Sequence, residues 1–218
     1  MDELGLTGNT VVVFTSDHGD SMGAHGLIQK HNLFYDSFTR VPFIVSAPGY
    51  QGPGRTDHPV ELIDIMPTFL ELAGIPVPPG VQGRSLAPYL EGKAYTPREY
   101  VVMESGEEGE PLRVSEITVR PEHPLDDRYF VWCAYRDAWR GKGKSIRTLE
   151  WKLNLYANGE GELYDLTADP DELHNRFVDP ACAGIRSGLE RKLLYWAMAK
   201  EDRLPLNTTV KLNYGDIV

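Results

Sequence analysis

Four consecutive apolar residues, Val11-Val12-Val13-Phe14, run without a break into Thr15-Ser16-Asp17-His18-Gly19-Asp20. A short, β-branched apolar run of this kind predicts a strand buried on both faces, as in a parallel sheet. The polar, glycine-containing stretch that follows is then the loop at the strand's C-terminal end, the edge at which open α/β sheets gather their active sites. Val41–Val45 predicts a second buried strand, with Pro42 near its start, where proline is tolerated, and Ala47-Pro48-Gly49 closing it.

Met1–Thr10 reads as the tail of a helix and a turn. Val60–Ala73 predicts a helix, because Leu62, Ile63, Met66, Phe69, Leu70 and Ala73 recur at helical spacing. Pro67 leaves two options: the helix starts near Asp64 with Pro67 in its first turn, or Pro67 kinks it. Leu86–Leu90 is a short helical turn. The character then changes. Glu99–Met103, Arg113–Val119, Arg128–Ala134, Ser145–Leu155 and Gly161–Leu166 are strand candidates of a small antiparallel sheet, with Asn158-Gly159 as a turn. A last helix runs from about Ala181 to Lys200. The pattern divides the chain near Tyr95-Thr96-Pro97, into an α/β part over 1–96 and an α+β part over 97–218.

Composition bounds the function. Among 218 residues the formal charge is −10, which argues against nucleic acid as a partner because phosphate binding needs a basic face. An anionic substrate stays open, since a metal ion and one lysine reverse the local sign. No apolar run approaches the roughly 20 residues of a membrane span, and Met1-Asp2-Glu3-Leu4 is no secretory leader. The compartment is therefore open: cytoplasmic for the chain as it stands, periplasmic or secreted for a parent protein. Cys133 and Cys182 have no metal or disulfide spacing and read as free thiols.

Asp17 and His18 offer one cation a carboxylate oxygen and an imidazole nitrogen. Consecutive side chains on a straight strand point apart, so both converge only where the backbone bends, as Gly19 allows. Two ligands are too few, and a solvated Asp-His hydrogen bond accounts for the pair equally. Lys30 is a compact cation able to hold an anionic oxygen, or an ordinary surface lysine. His25, between Gly23 and Gly26, reaches the same site from a loop or is simply exposed. Asp20 orients a histidine or closes a turn. Tyr135, Trp139 and Arg140 supply a sugar- or aryl-binding rim, or ordinary packing.

Thr15-Ser16-Asp17-His18-Gly19, Gly23-Ala24-His25-Gly26, Lys30 and Thr39-Arg40-Val41-Pro42 together resemble the sulfatase family of the alkaline phosphatase superfamily. Val60-Glu61-Leu62-Ile63-Asp64-Ile65-Met66-Pro67-Thr68 and Leu72-Ala73-Gly74 continue the match. Gly83-Arg84-Ser85-Leu86, then Glu162-Leu163-Tyr164-Asp165-Leu166, Asp169-Pro170, Glu172 and Asn175, extend it in order. Each piece is loose, and the ordered set is specific.

The resemblance implies a partial alkaline-phosphatase-like α/β sheet followed by a small antiparallel α+β C-terminal subdomain with a terminal helix. It implies that Asp17 and His18 bind a divalent metal, calcium by family habit, with manganese or zinc favoured by the imidazole. Lys30, with His25, would contact the sulfate of a small-molecule or saccharide sulfate ester. The family's formylglycine nucleophile arises from C-x-P-x-R or C-x-A-x-R, and neither motif occurs here; Cys182-Ala183-Gly184-Ile185-Arg186 is a decoy. The chain thus reads as the C-terminal portion of a sulfuric-ester hydrolase, inactive by itself. Alternatives are a phosphodiesterase or phosphonate monoester hydrolase of the same superfamily, a non-catalytic module and, third, a cofactor-independent phosphoglycerate mutase. Exposed edges of the first two strands would favour self-association.

Overall fold

The computed structural model describes residues 1–28, 30–50, 54–106 and 140–200. Two short 3-10 turns, Asp2–Leu4 and Thr7–Asn9, lead into β1 (Val12–Thr15). β1 pairs with β2 (Phe43–Ser46), Val13 facing Val45. The pairing is antiparallel, and this corrects the expected parallel arrangement. An apolar run fixes that a strand forms but not its neighbour's direction, and here the intervening segment folds back on itself. Burial on both faces is corrected too. Phe14 is 62% exposed and Ile44 60%, so among the described residues one face of the pair lies open.

Between them lies α1 (Asp36–Thr39). After β2, a 3-10 turn at Leu62–Asp64 passes into α2 (Ile65–Leu72), with Pro67 in its first turn, where the missing N–H costs nothing. Asp64 is fully buried at this junction. It accepts from the Glu61 N–H (2.9 Å), the Arg84 N–H (2.7 Å) and both terminal nitrogens of Arg98, Nη2 at 2.5 Å. Leu86 N–H donates to Thr68 Oγ1 (2.9 Å). The Gly83–Leu86 stretch is thus a strap over the start of α2, leading to α3 (Ala87–Leu90).

The second sheet runs in sequence order: β3 (Val101–Ser105), β4 (Gly143–Arg147), β5 (Trp151–Tyr156) and β6 (Gly161–Asp165), all antiparallel. The expected single strand over Ser145–Leu155 is two strands. The Thr148 hydroxyl accepts from the N–H groups of Glu150 (3.2 Å) and Trp151 (2.9 Å), which folds the chain into a tight hairpin. Gly159, with φ +88°, turns β5 into β6 as Asn158-Gly159 predicts. The Arg113–Val119 and Arg128–Ala134 candidates, with Cys133, lie outside the described residues.

Both faces of this sheet are covered. Ile146, Leu153 and Leu163 pack against Cys182, Leu189 and Leu193 at the start and along the inner side of α4 (Ala183–Ala199). The opposite face carries Ser145, Arg147, Lys152, Asn154, Glu162 and Tyr164, by the two-residue alternation of strands. Against it lies the segment Leu27–Phe38: Leu27, Leu33, Tyr35 and Phe38 share one apolar cluster with Tyr164 and Leu166. The core therefore joins parts of the chain on either side of residue 96.

Candidate functional site

β1 ends at Thr15, and the chain turns at once. Ser16 Oγ donates to the His18 carbonyl (2.7 Å), and the His18 N–H donates to Asp17 Oδ1 (3.0 Å). This tight turn brings two consecutive side chains to one side, with His18 Nε2 3.6 Å from Asp17 Oδ2. The His18 N–H, and then the His18 ring, hold the Asp17 carboxyl below its ordinary range. His18 Nδ1 lies 2.8 Å from the Gly19 carbonyl oxygen, an orientation that leaves Nε2 facing the carboxylate. Asp17 is 85% exposed and His18 40%. They present an open, anionic and basic pair to whatever approaches.

The turn is fixed from behind. The Gly19 N–H donates to the Phe38 carbonyl of α1 (2.7 Å). A Cβ on residue 19 would overlap the Ser37 carbonyl oxygen, so only glycine allows this approach.

Asp17, His18 and Lys30 line one cleft of about 1510 Å³, whose walls include β2, the Thr56–Ile63 stretch and β3. Lys30 is exposed within the segment anchored by buried Leu27 and Leu33. Two of the cleft's further cations, Arg40 and Arg55, are exposed as well. His25 is not among the lining residues. Its ring stacks on Tyr35, centroids 3.7 Å apart and planes 10° apart, with the backbone in the left-handed region at φ 54°. Asp20 accepts from the Met22 N–H (2.9 Å), as a turn residue does.

Among the described residues no group of three or more His, Cys, Asp or Glu side chains could hold a metal ion. Calcium takes roughly six to eight oxygen ligands and zinc about four donors. Asp17 and His18 are a chemically suitable part of such a shell and do not make one by themselves.

Of the two roles open to Arg140, a binding rim or ordinary packing, its position fits packing. It is buried, its Nη2 2.8 Å from Glu162 and its guanidinium 4.4 Å from the centre of the Tyr156 ring. Tyr135 and Trp139 lie outside the described residues. Cys182 is a buried free thiol, and Arg186 donates to the Phe177 carbonyl (2.6 Å), so the C-x-x-x-R stretch is structural.

Sequence reasoning passed over three residues that hold this region, Asp36, Arg147 and Lys152, and gave no role to a fourth, Glu172. Lys152 is fully buried, with Nζ 2.6 Å from both Asp36 Oδ1 and Glu172 Oε1. Arg147 reaches Asp36 through Nε (3.1 Å) and Nη2 (2.9 Å). Glu172 Oε2 accepts from the Asp36 N–H (2.5 Å). Burial pushes the Asp36 carboxyl up, but Arg147 and Lys152 outweigh it and hold it low. At Glu172 burial wins over Lys152, and the carboxyl stays above its ordinary value. No local signal marked Lys152: strand alternation sets it opposite the apolar face, and only the layer formed by residues 27–38 makes that position buried.

The model of the sulfatase family matches residues 1–75. A Delta 4,5-hexuronate-2-O-sulfatase of Bacteroides thetaiotaomicron is 34% identical over 200 residues, covering 89% of this chain and 36% of that protein. A solved phosphonate monoester hydrolase of Silicibacter pomeroyi superposes with a TM-score of 0.72 at 30% identity, over 93% of this chain and 37% of its own. A protein solved in complex with its substrate D-glucosamine-2-N,6-O-disulfate superposes with a TM-score of 0.68 at 27% identity, over 94% of this chain and 37% of its own. The chain spans little more than a third of the length of these relatives.

Proposed function

The chain belongs to the sulfatase family, and on that premise we propose that it supplies one wall of a sulfuric-ester hydrolase site. The observation that carries this reading is that Asp17 and His18, on one turn, and Lys30, on a later segment, line a single cleft. Asp17 and His18 would be two ligands of a divalent cation, calcium first and manganese or zinc next, with the remaining ligands outside the described residues. Such a cation supplies Lewis-acid polarisation of an ester oxygen. Lys30 holds the anionic ester group and opposes charge that develops on the leaving oxygen. His25, fixed against Tyr35, is a second substrate contact at the margin of this region. The substrate class is a small-molecule or saccharide sulfate ester, as the names of the relatives suggest. The open face of β1 and β2 is a surface for self-association.

A phosphonate monoester hydrolase is the second reading, favoured by the superposition on the Silicibacter pomeroyi enzyme. Both esters present a tetrahedral anion to the same lysine. The experiment is an NMR titration of the chain with calcium, and then with nitrophenyl sulfate or phenyl phosphonate. We expect shifts centred on Asp17, His18 and Lys30, with calcium binding about millimolar or weaker, as two ligands dictate. Lys30→Ala should abolish the ester shifts and leave those of calcium. Ester shifts that survive Lys30→Ala would remove the lysine's role, and larger shifts with the phosphonate would favour the second reading. Hydrolysis by this polypeptide alone is not expected, because the nucleophile motif is absent from its sequence.

A further inference from the structure

We infer that Lys152 is a positioning residue for the Asp17–His18 turn, acting through Asp36 and α1 rather than by touching anything in the cleft. A continuous path of short contacts carries the effect. Lys152 rises from β5, fully buried, and places its ammonium between Asp36 and Glu172, 2.6 Å from each. Asp36 is the first residue of α1, and it is gripped at both ends. Arg147 and Lys152 hold its carboxylate, and Glu172 accepts from its N–H.

Two residues on, the Phe38 carbonyl receives the Gly19 N–H, and the helix backbone packs where a Cβ of residue 19 would be. One turn of helix thus has a salt-bridge cluster at its head and the candidate site at its tail. Phe38 anchors this turn in the apolar cluster with Tyr164 and Leu166, and the charged cluster fixes its other end and with it the direction of the Phe38 carbonyl. Glu172 takes a left-handed backbone at φ 56° to reach the cluster. A non-glycine residue adopts that conformation at a cost that surrounding contacts must offset.

This inference rests on the proposed function only in treating the Asp17–His18 turn as functional; the geometry stands apart from any reaction. Its test is therefore read without turnover. Amide hydrogen exchange of the whole chain is compared for wild type, Lys152→Met and Arg147→Met. Arg147 is the milder change, because it sits at the cluster's rim and leaves Lys152 facing Asp36. Both variants should speed exchange at Gly19 by about tenfold or more, the effect of one lost charge-assisted hydrogen bond, while Leu153 and Leu163 stay protected. The Gly19 amide resonance should move in both. If Lys152→Met unfolds the sheet, Asp36→Asn, which removes the charge that Lys152 grips, decides in its place. Unchanged Gly19 exchange in whichever of these two variants decides, or loss of protection at Gly19 and Leu163 in equal proportion, would overturn the proposal.

Discussion

A Cβ on residue 19 would overlap the Ser37 carbonyl oxygen, a backbone atom that cannot swing aside. Gly19→Ala should therefore push α1 away from the turn and cost about 1–3 kcal/mol, as overpacking does. Urea melts would measure the loss, and the shift changes should centre on Asp17, His18 and Phe38. Glu172 sets a different expectation. Its carboxyl titrates above its ordinary value because burial disfavours the charge. A raised acid favours the folded state below its unfolded value, near 4.5, and loses that contribution as pH rises through its folded value. Asp36 has the opposite sign: its contribution is present above 3.8 and is lost as pH falls through its lowered value. Wild type should thus gain stability relative to Glu172→Gln as pH falls from 7 toward 4.5. Thermal melts of the two across pH check this; a constant difference would contradict it.

Strand β6 is the edge of its sheet, and edges invite unwanted pairing. Here a returning segment covers it. Asn175 Oδ1 accepts from the Leu163 N–H (3.0 Å), and the Arg176 N–H donates to the Leu163 carbonyl (2.7 Å). Asn175→Ala should leave the Leu163 N–H without its acceptor and cost about 1–3 kcal/mol, read as a lower urea midpoint at unchanged slope. The spacing of Glu172 and Asn175 was visible in the sequence, and the reason for it was not. Local signals did locate β1, β2 and the Asn158-Gly159 turn, because each depends on neighbours in sequence, and they left the start of α2 near Asp64 as one of two options at Pro67. They failed at Thr148, where one hydroxyl folds an apparent strand in two. They failed again at Lys152. Period-two alternation assigns polar positions to solvent, and only the layer formed by Leu27–Phe38 turns them inward. The candidate site was half legible: Asp17, His18 and Lys30 carry their chemistry in their side chains, whereas the charged cluster at the head of α1 joins residues more than a hundred positions apart.

The described residues form one sheet clad on both sides and one strand pair bare on one side. Val12, Phe14 and Ile44 show their side chains to solvent there. On the proposed reading, this face holds copies of the chain together at high concentration. Ile44→Lys should leave the melting curve nearly unchanged, within about 0.5 kcal/mol, because the side chain is already exposed. Sedimentation velocity should show it as a monomer where wild type associates; a wild type that stays monomeric would dismiss the idea. The fastening of α1 has a further consequence, one of timing. Asp36 meets Lys152 across 116 residues and Glu172 across 136. At ordinary elongation rates the ribosome needs roughly 6 to 23 s to make the first of those spans. A nascent chain therefore displays its Asp17–His18 turn well before Lys152 has been synthesised, and on this inference the turn is steadied only after that lysine emerges.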